Sequence, residues 1–231
     1  MAPAFPLPPV IFFDAVGTLL HPEPAAPEVY ASIGRRFGTR LDGTTIAARF
    51  RVAFRRQEEA DYADGLHTDE KREFERWRAI VAEVLDDVSD GEACFQELYA
   101  HFARPDAWYC LPEIAEVMQT LTARGHVLGI ASNFDHRLRG LVENLPTLRS
   151  IHHIVVSSEI GWRKPASAFF AEIARRTDAP VERILYVGDD PINDYEGAQT
   201  AGIRAVLLDA SSRLSSLGEN HIRSLKELTL R

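Results

Sequence analysis

Four aspartates in two short segments are the residues of this sequence best placed to do chemistry. They are Asp14, in the run VIFFDAVGTLL (residues 10–20), and Asp189, Asp190 and Asp194, in the segment GDDPIND. Carboxylates this close together repel one another unless a cation lies among them, and a site of oxygen ligands alone favours a hard ion such as Mg²⁺. The pattern therefore predicts a magnesium site where the two segments meet.

Polar residues and a lysine follow two further apolar runs. Ser132 and Asn133 come directly after VLGIA (residues 127–131), and Lys164 lies in GWRKP after IVVSS (residues 154–158). Ser and Asn often cap helix N-termini, where free N–H groups also favour an anion. A compact ammonium group nearby could hold a phosphoryl oxygen. A plain helix cap and a solvated loop lysine are the alternative interpretations of these residues.

The apolar pattern predicts the elements that would bring these side chains together. Between residues 29 and 103 apolar residues recur at helical spacing, which predicts four helices and no strand. Five short runs outside this block predict the strands of a parallel sheet with helical crossovers. These runs are residues 9–14, 127–131, 154–158, 184–188 and 205–209. Since ligands bind beyond the carboxyl ends of such strands, the polar groups are expected at one sheet edge.

The all-helical block separates the first predicted strand from the other four. The simplest architecture is therefore an α/β domain into which a helical domain is inserted. We expect residues 1–20 and 109–231 to form the α/β core and residues 21–108 to form the helical domain, with the proline-rich HPEPAAPE (residues 21–28) as a linker. At helical spacing, the side chains of Phe54, Trp77 and Phe102 are predicted to pack in the core of the helical block.

Composition narrows the class of partner. With 231 residues, of which 45% are hydrophobic, the chain can bury a sizeable core, and its formal charge of −8 disfavours nucleic acid and anionic membranes. The N-terminal segment lacks the basic start of a signal peptide, and no run approaches the roughly 20 apolar residues of a membrane span. Cys94 and Cys110 indicate neither a disulfide framework nor a zinc site, which fits a reducing cytoplasm. The sequence predicts no oligomeric state.

Taken in order, four motifs resemble those of the haloacid dehalogenase superfamily of hydrolases. They are Asp14-Ala-Val-Gly-Thr, Ser132-Asn133, Lys164 and Gly188-Asp189 through Asp194. Together they cover nearly the whole chain, and the ordered set is more specific than any one motif. The inserted block resembles the small helical cap of the first subgroup. The segments SNFD, SEIGWRKP and YASIGRRFG resemble those of the haloacid dehalogenase-like hydrolase domain-containing proteins of the third type.

The resemblance implies a Rossmann-like core with an inserted helical cap, and a Mg²⁺-dependent phosphatase with an aspartyl intermediate. The implied catalytic residues are Asp14 as nucleophile, Ser132 and Lys164. The implied substrate contacts are Gly17, Thr18, Ser132, Asn133 and Lys164. The implied Mg²⁺ ligands are Asp14, the carbonyl of Val16, Asp189 and Asp194, with Asp190 as the alternative to Asp194. The substrate is expected to be small and anionic.

One position departs from the phosphatase pattern. Phosphatases of the superfamily carry a second aspartate, the general acid and base, where this chain has Val16, and losing such a group slows hydrolysis by about 10²- to 10⁴-fold. Three interpretations remain open. In the first, the chain is a phosphatase whose acid comes from His21, a cap residue or the substrate. In the second, it is a dehalogenase, since halide leaves without a proton, although dehalogenases lack the paired acids of GDD. In the third, it is a relative that binds a ligand or partner without turnover.

The phosphonate-cleaving relatives also lack the second aspartate, and they use a cap lysine to form a Schiff base. Lys71 is the only lysine in the predicted cap, and it stands between acidic residues in TDEKREFERW. This setting is typical of an exposed helix residue rather than of a catalytic lysine.

Overall fold

The computed structural model describes residues 6–210 and 220–230, which form a parallel sheet, flanking helices and a block of four helices. The strands are β1 Val10–Phe13, β2 His21–Pro22, β3 Trp108–Tyr109, β4 Val127–Ser132, β5 Ile151–Val156, β6 Ile184–Gly188, β7 Arg204–Leu208 and β8 His221–Ile222. The α-helices are α1 Ala26–Arg36, α2 Gly43–Ala63, α3 Glu70–Val84, α4 Gly91–His101, α5 Pro112–Ala123, α6 Arg137–Asn144, α7 Ser157–Ile160, α8 Ser167–Thr177 and α9 Gly197–Thr200. A π-helix spans Pro191–Glu196, and short 3₁₀ helices span Pro105–Ala107, Pro146–Leu148, Val181–Arg183 and Leu225–Thr229.

The six-stranded sheet has the order β5-β4-β1-β6-β7-β8, and every neighbouring pair is parallel. This confirms the predicted α/β class with a parallel sheet. The last residue of β1, Phe13, is in register with Ile130 of β4 and Val187 of β6. The residues that follow these three strands therefore emerge at the same edge. The two-residue strand β8 was not predicted because it is too short to carry an apolar pattern.

The central strand β1 is buried on both faces, which is why its sequence is a continuous apolar run. Successive side chains of a strand point to opposite faces. Ile11 and Phe13 accordingly pack in one apolar cluster, and Val10 and Phe12 pack in another, with Phe169 of α8. Helices cover both faces, so the α/β interior surrounds the strand that ends at Asp14.

The four predicted helices between the first two sheet strands are present as α1 to α4. They bury an apolar cluster of their own, separate from the two clusters of the sheet. Three of the helices begin with an aspartate N-cap whose carboxylate accepts a backbone N–H three residues later, at Asp42, Asp69 and Asp90. The block thus has the local signals and the core of a helical unit, and we call residues 21–108 the cap. Its exact bounds stay a proposal.

The two connections between the cap and the sheet pair with each other. His21 is opposite Tyr109 and Pro22 is opposite Trp108 in the antiparallel pair of β2 and β3. The segment HPEPAAPE is therefore not wholly a linker, because its first two residues form β2 and its last three begin α1. Pro27 lies in the first turn of α1, where its missing N–H breaks no helical hydrogen bond.

The prediction that residues 154–158 form a strand was wrong at its C-terminal end. The strand β5 begins at Ile151 and stops at Val156, and Ser157 opens the short helix α7, which Gly161 ends with a φ of 85°. The reason is a side-chain contact: the hydroxyl of Ser157 accepts the backbone N–H of Phe134 and donates to its carbonyl, in the loop after β4.

Within residues 6–210 and 220–230, none of the helices combines the length and the apolar character that crossing a membrane requires.

Candidate active site

Asp14 lies at the centre of the sheet edge, directly after β1. Its backbone N–H donates to the carbonyl of Val187 at 2.9 Å, which continues the pairing of β1 with β6 one residue beyond the strand. Its side chain is buried, and Oδ1 accepts a hydrogen bond from Nζ of Lys164 at 2.6 Å. The carboxylate is therefore oriented at the strand end by the ammonium group of Lys164.

Lys164 joins Asp14 to the acidic segment after β6. Its Nζ is 2.5 Å from Oδ1 of Asp194 and 2.9 Å from the hydroxyl of Tyr186, and the residue is 4% exposed. Burial by itself would lower the pKa of Lys164, but the two carboxylates raise the pKa well above its usual range. Lys164 is therefore a buried ammonium group shared by two carboxylates, and the interpretation as a solvated loop lysine is wrong.

The loop after β4 positions that lysine. The side-chain amide of Asn133 accepts the backbone N–H of Lys164 at 2.7 Å and donates to its carbonyl at 3.1 Å. This amide is thus committed to the lysine backbone, whereas the resemblance assigned it to the substrate. Ser132, the last residue of β4, is buried and lines the cavity described below.

Three carboxylates converge at this edge. Asp14, Asp189 and Asp194 each offer an oxygen atom, and these atoms lie within 4.8 Å of one another. Burial raises the pKa of Asp194 to about 7, although the Lys164 ammonium opposes the increase. Asp190 is not part of this group, because its Oδ1 accepts the N–H groups of Ile192 and Asn193 at 2.8 Å and so caps the π-helix.

Two glycines allow the acidic segments to approach each other. Gly17 has a φ of 92°, and a Cβ atom there would lie 2.5 Å from Oδ1 of Asp189. A Cβ atom at Gly188 would overlap the carboxylate of Asp194. The backbone N–H of Gly17 donates to the carbonyl of Leu20. The role that the geometry indicates for Gly17 is therefore to leave room for the Asp189 side chain. The Thr18 hydroxyl also points at Asp189, across 3.4 Å.

A cavity of about 390 Å³ lies between this edge and the cap. The sheet side of the cavity includes Asp14, Val16, Ser132, Lys164 and Asp194. The cap side is largely aromatic, with Phe50, Phe54, Trp77 and Phe102 among its residues. Phe54, Trp77 and Phe102 were predicted as cap core, and they do pack on the cap cluster, but the same side chains face the cavity. The space fits a small molecule with an apolar part.

Sequence reasoning missed several charged residues that line the cavity. Arg163, next to Lys164, forms buried ion pairs with Glu73 and Asp61 of the cap, and so ties the cap to the sheet edge. Arg76 and Glu58 are also cavity residues of the cap. Nothing in their spacing distinguishes them from surface charges, since helical periodicity marks only which face is apolar.

Two residues that the sequence offered as possible catalytic groups, His21 and Lys71, do not line the cavity. His21 lies in β2, packs against the ring of Tyr109 and does not line the cavity. Lys71 is exposed on α3, away from the cavity wall. Within the described residues, neither reaches the group around Asp14.

Known proteins are similar to this chain in sequence and in fold. A statistical description of haloacid dehalogenase-like hydrolases matches residues 8–202. The chain is 25% identical to haloacid dehalogenase-like hydrolase domain-containing protein 3 of Danio rerio, over an alignment that covers 96% of this chain and 95% of that protein.

Two solved structures illustrate the range of hydrolases with this fold. L-2-haloacid dehalogenase from Xanthobacter autotrophicus has a TM-score of 0.75 at 16% identity, covering 96% of this chain and 97% of its own. The HAD phosphatase from Thermococcus onnurineus has a TM-score of 0.68 at 22% identity, covering 95% of each chain. The neighbours thus share the fold and differ in reaction. The family match spans β1 to α9 and every motif at the sheet edge, and on this basis the chain belongs to the haloacid dehalogenase-like hydrolases.

Proposed function

We propose that this hydrolase is a Mg²⁺-dependent phosphohydrolase that acts on a small phosphorylated metabolite through an aspartyl-phosphate intermediate. The observation that carries the proposal is the group of Asp14, Asp189 and Asp194 beside the buried ammonium of Lys164. A nucleophilic carboxylate that must meet a phosphate dianion needs positive charge close by. The paired acids Asp189 and Asp194 need a cation among them, and halide displacement requires no metal ion, so these acids favour phosphate chemistry.

In this proposal Asp14 is the nucleophile. A carboxylate oxygen forms a bond to phosphorus while the bond from phosphorus to the leaving oxygen breaks, and water later cleaves the aspartyl phosphate. Lys164 holds Asp14 from 2.6 Å and faces the negative charge on the phosphoryl oxygens. The Ser132 hydroxyl, at the cavity wall, is the proposed side-chain donor to a phosphoryl oxygen. Thr18 and Asn133, whose side chains are engaged elsewhere, are proposed to contact the phosphate through the backbone.

The donor set fits Mg²⁺. Carboxylate oxygens are the ligands that this ion prefers, and three converge here on Asp14, Asp189 and Asp194. We assign these residues, with the carbonyl of Val16, as the ligands. When bound, Mg²⁺ would neutralise charge on the phosphate and the carboxylates.

Metal removal is the first test of this function. We expect phosphate release from para-nitrophenyl phosphate to fall to background in EDTA and to return when Mg²⁺ is added in excess, because the acidic group needs a cation before it can accept a dianion. The measurement is the initial rate of phosphate release across a Mg²⁺ titration. Turnover that persists unchanged after exhaustive chelation would rule out the metal-dependent reaction.

A dehalogenase is the second candidate, because Val16 cannot serve as the general acid of a phosphatase and halide leaves without a proton. The test is halide release from a 2-haloacid, measured beside phosphate release on the same preparation. Metal-independent halide release without phosphate release would replace the proposed function. If neither product forms while Mg²⁺ still binds, the chain is a relative that binds without turnover.

The close approach at Gly17 predicts a further effect. Gly17→Ala should weaken Mg²⁺ binding at least about tenfold, because the added Cβ would displace the Asp189 carboxylate. The variant should also lose about 1–2 kcal/mol of folding stability, because alanine is strained in the left-handed conformation that Gly17 adopts. The matched control is Gly125→Ala, since Gly125 has a φ of 84° but open space around it. Equal Mg²⁺ affinity in the two variants, measured by calorimetry, would contradict this account.

The partners and location follow from composition and remain proposals. The acidic chain and the cavity of about 390 Å³ favour a small substrate over nucleic acid or a membrane surface. Cys94 and Cys110 are both free thiols, which agrees with a cytoplasmic protein.

A further inference from the structure

Val16 leaves the proposed reaction without a proton donor at the usual position. Its exposed side chain lines the cavity beside Asp14. An alkoxide is a poor leaving group unless it receives a proton as the bond to phosphorus breaks. Another group in the same cavity must therefore supply that proton if the substrate is an alkyl phosphate, and this reasoning rests on the function proposed above.

Among the residues that the structure describes, six carboxyl groups line the cavity, and five of them already have a partner or an assigned role. The six belong to Asp14, Glu58, Glu73, Asp189, Asp190 and Asp194. Asp14 and Asp194 bind Lys164, and Glu73 pairs with Arg163. Asp190 caps its own turn, and Asp189 belongs to the acidic group assigned to the metal. Each of these carboxylates is committed to a partner at the sheet edge, to the cap or to its own turn, and so is not placed to carry a proton to the leaving group.

Glu58 is the sixth carboxyl, and its surroundings differ. It lies on α2, is half-buried, and forms no ion pair with any residue that the structure describes. Its Oε1 accepts a long hydrogen bond from Nδ2 of Asn193 at 3.4 Å, and the same amide donates to Oδ2 of Asp190 at 3.1 Å. The Glu58 carboxyl therefore lies beside the turn that carries Asp189 and Asp194. It lines the same cavity as Asp14.

The environment of Glu58 suits proton transfer. Burial raises the pKa of Glu58, the nearby charge of Arg76 lowers it, and the negative charge of Asp190 raises it again. The net result is a pKa above that of an ordinary glutamate. Such a carboxyl retains its proton closer to neutral pH, which is the property of a general acid.

We propose that Glu58 is the acid and base that stands in for the aspartate missing at position 16. As the Asp14 carboxylate bonds to phosphorus and the bond to the leaving oxygen breaks, the proton of the Glu58 carboxyl passes to that oxygen and an alcohol departs. The Glu58 carboxylate then accepts a proton from water, whose oxygen attacks the phosphorus of the aspartyl phosphate. Cleavage of the bond between Asp14 and phosphorus releases inorganic phosphate and restores both side chains.

The test compares two leaving groups in the full-length protein with Mg²⁺. Ethyl phosphate needs a proton on its leaving oxygen, whereas para-nitrophenyl phosphate does not. We expect Glu58→Gln to lower kcat/KM about 100-fold for ethyl phosphate and less than about fivefold for para-nitrophenyl phosphate. The matched control is Glu59→Gln, because Glu59 is the exposed neighbour on the same helix and should leave the ratio of the two rates unchanged.

A second variant separates proton transfer from packing. Adding Val16→Asp to Glu58→Gln should restore ethyl phosphate hydrolysis, since it returns a carboxyl to the position that the superfamily uses. Equal losses on both substrates, or no loss on either, would overturn the role of Glu58 and leave the phosphohydrolase intact. A wild-type protein that hydrolyses only the aryl ester would also overturn it. If the wild type releases phosphate from neither ester, the proposed function itself fails.

Discussion

Asp14→Asn should reduce phosphate release by about 10⁴-fold or more while the protein remains folded. An amide cannot replace the carboxylate as nucleophile, and Asp194, the other carboxylate that Lys164 binds, follows β6 rather than β1. The amide nearly matches the carboxylate in size, so the packing at the end of β1 is kept. The measurement is kcat for para-nitrophenyl phosphate with Mg²⁺, together with the thermal unfolding midpoint.

The control for this variant is Asp178→Asn. Asp178 follows α8 and has a φ of 50°, a conformation that asparagine adopts readily, so the same chemical change should leave activity at the wild-type level. Trapping of a phosphorylated protein in the wild type and not in Asp14→Asn would support the covalent route. Residual activity within tenfold of wild type in Asp14→Asn would eliminate Asp14 as the nucleophile.

Lys164→Met should affect stability and turnover together. The variant leaves the carboxylates of Asp14 and Asp194 buried without their shared cation, and breaking a buried ion pair in this way costs about 3–5 kcal/mol. For a chain of this size such a loss lowers Tm by about 10 °C. Activity should fall at least about 10³-fold, because the group that orients Asp14 and faces the phosphate is removed.

The stability measurement should be made in EDTA and repeated with Mg²⁺. Added metal is expected to recover a part of the lost Tm, since a cation among the carboxylates relieves their repulsion. Lys71→Met serves as the control because Lys71 is exposed on the cap and should change neither Tm nor turnover. A Tm in Lys164→Met that equals the wild-type value in EDTA would show that the buried pair is not a net source of stability.

The sequence by itself determined the architecture and the group of residues at the sheet edge. Apolar periodicity separates strands from helices locally, and parallel strands end at a common edge, so the pattern of residues was enough to place Asp14, Ser132 and Asp189 together. This placement depends on neighbours in sequence and on the geometry of a parallel sheet. The resemblance to the superfamily, in contrast, identified Val16 as the position that lacks an acid.

Only the tertiary structure decided which side chains meet across the cavity. Glu58 and Asn193 are separated by 135 positions in the chain, and the contact between them depends on how the cap lies over the sheet. The same holds for the Arg163 pairs with the cap, and for Phe54, which helical spacing could not distinguish from a core residue. The structure also placed Asp194 rather than Asp190 with Asp14, because the turn after β6 uses the Asp190 carboxylate as its cap. Periodicity shows which face of a helix is apolar, whereas the partner of that face depends on packing between segments distant in sequence.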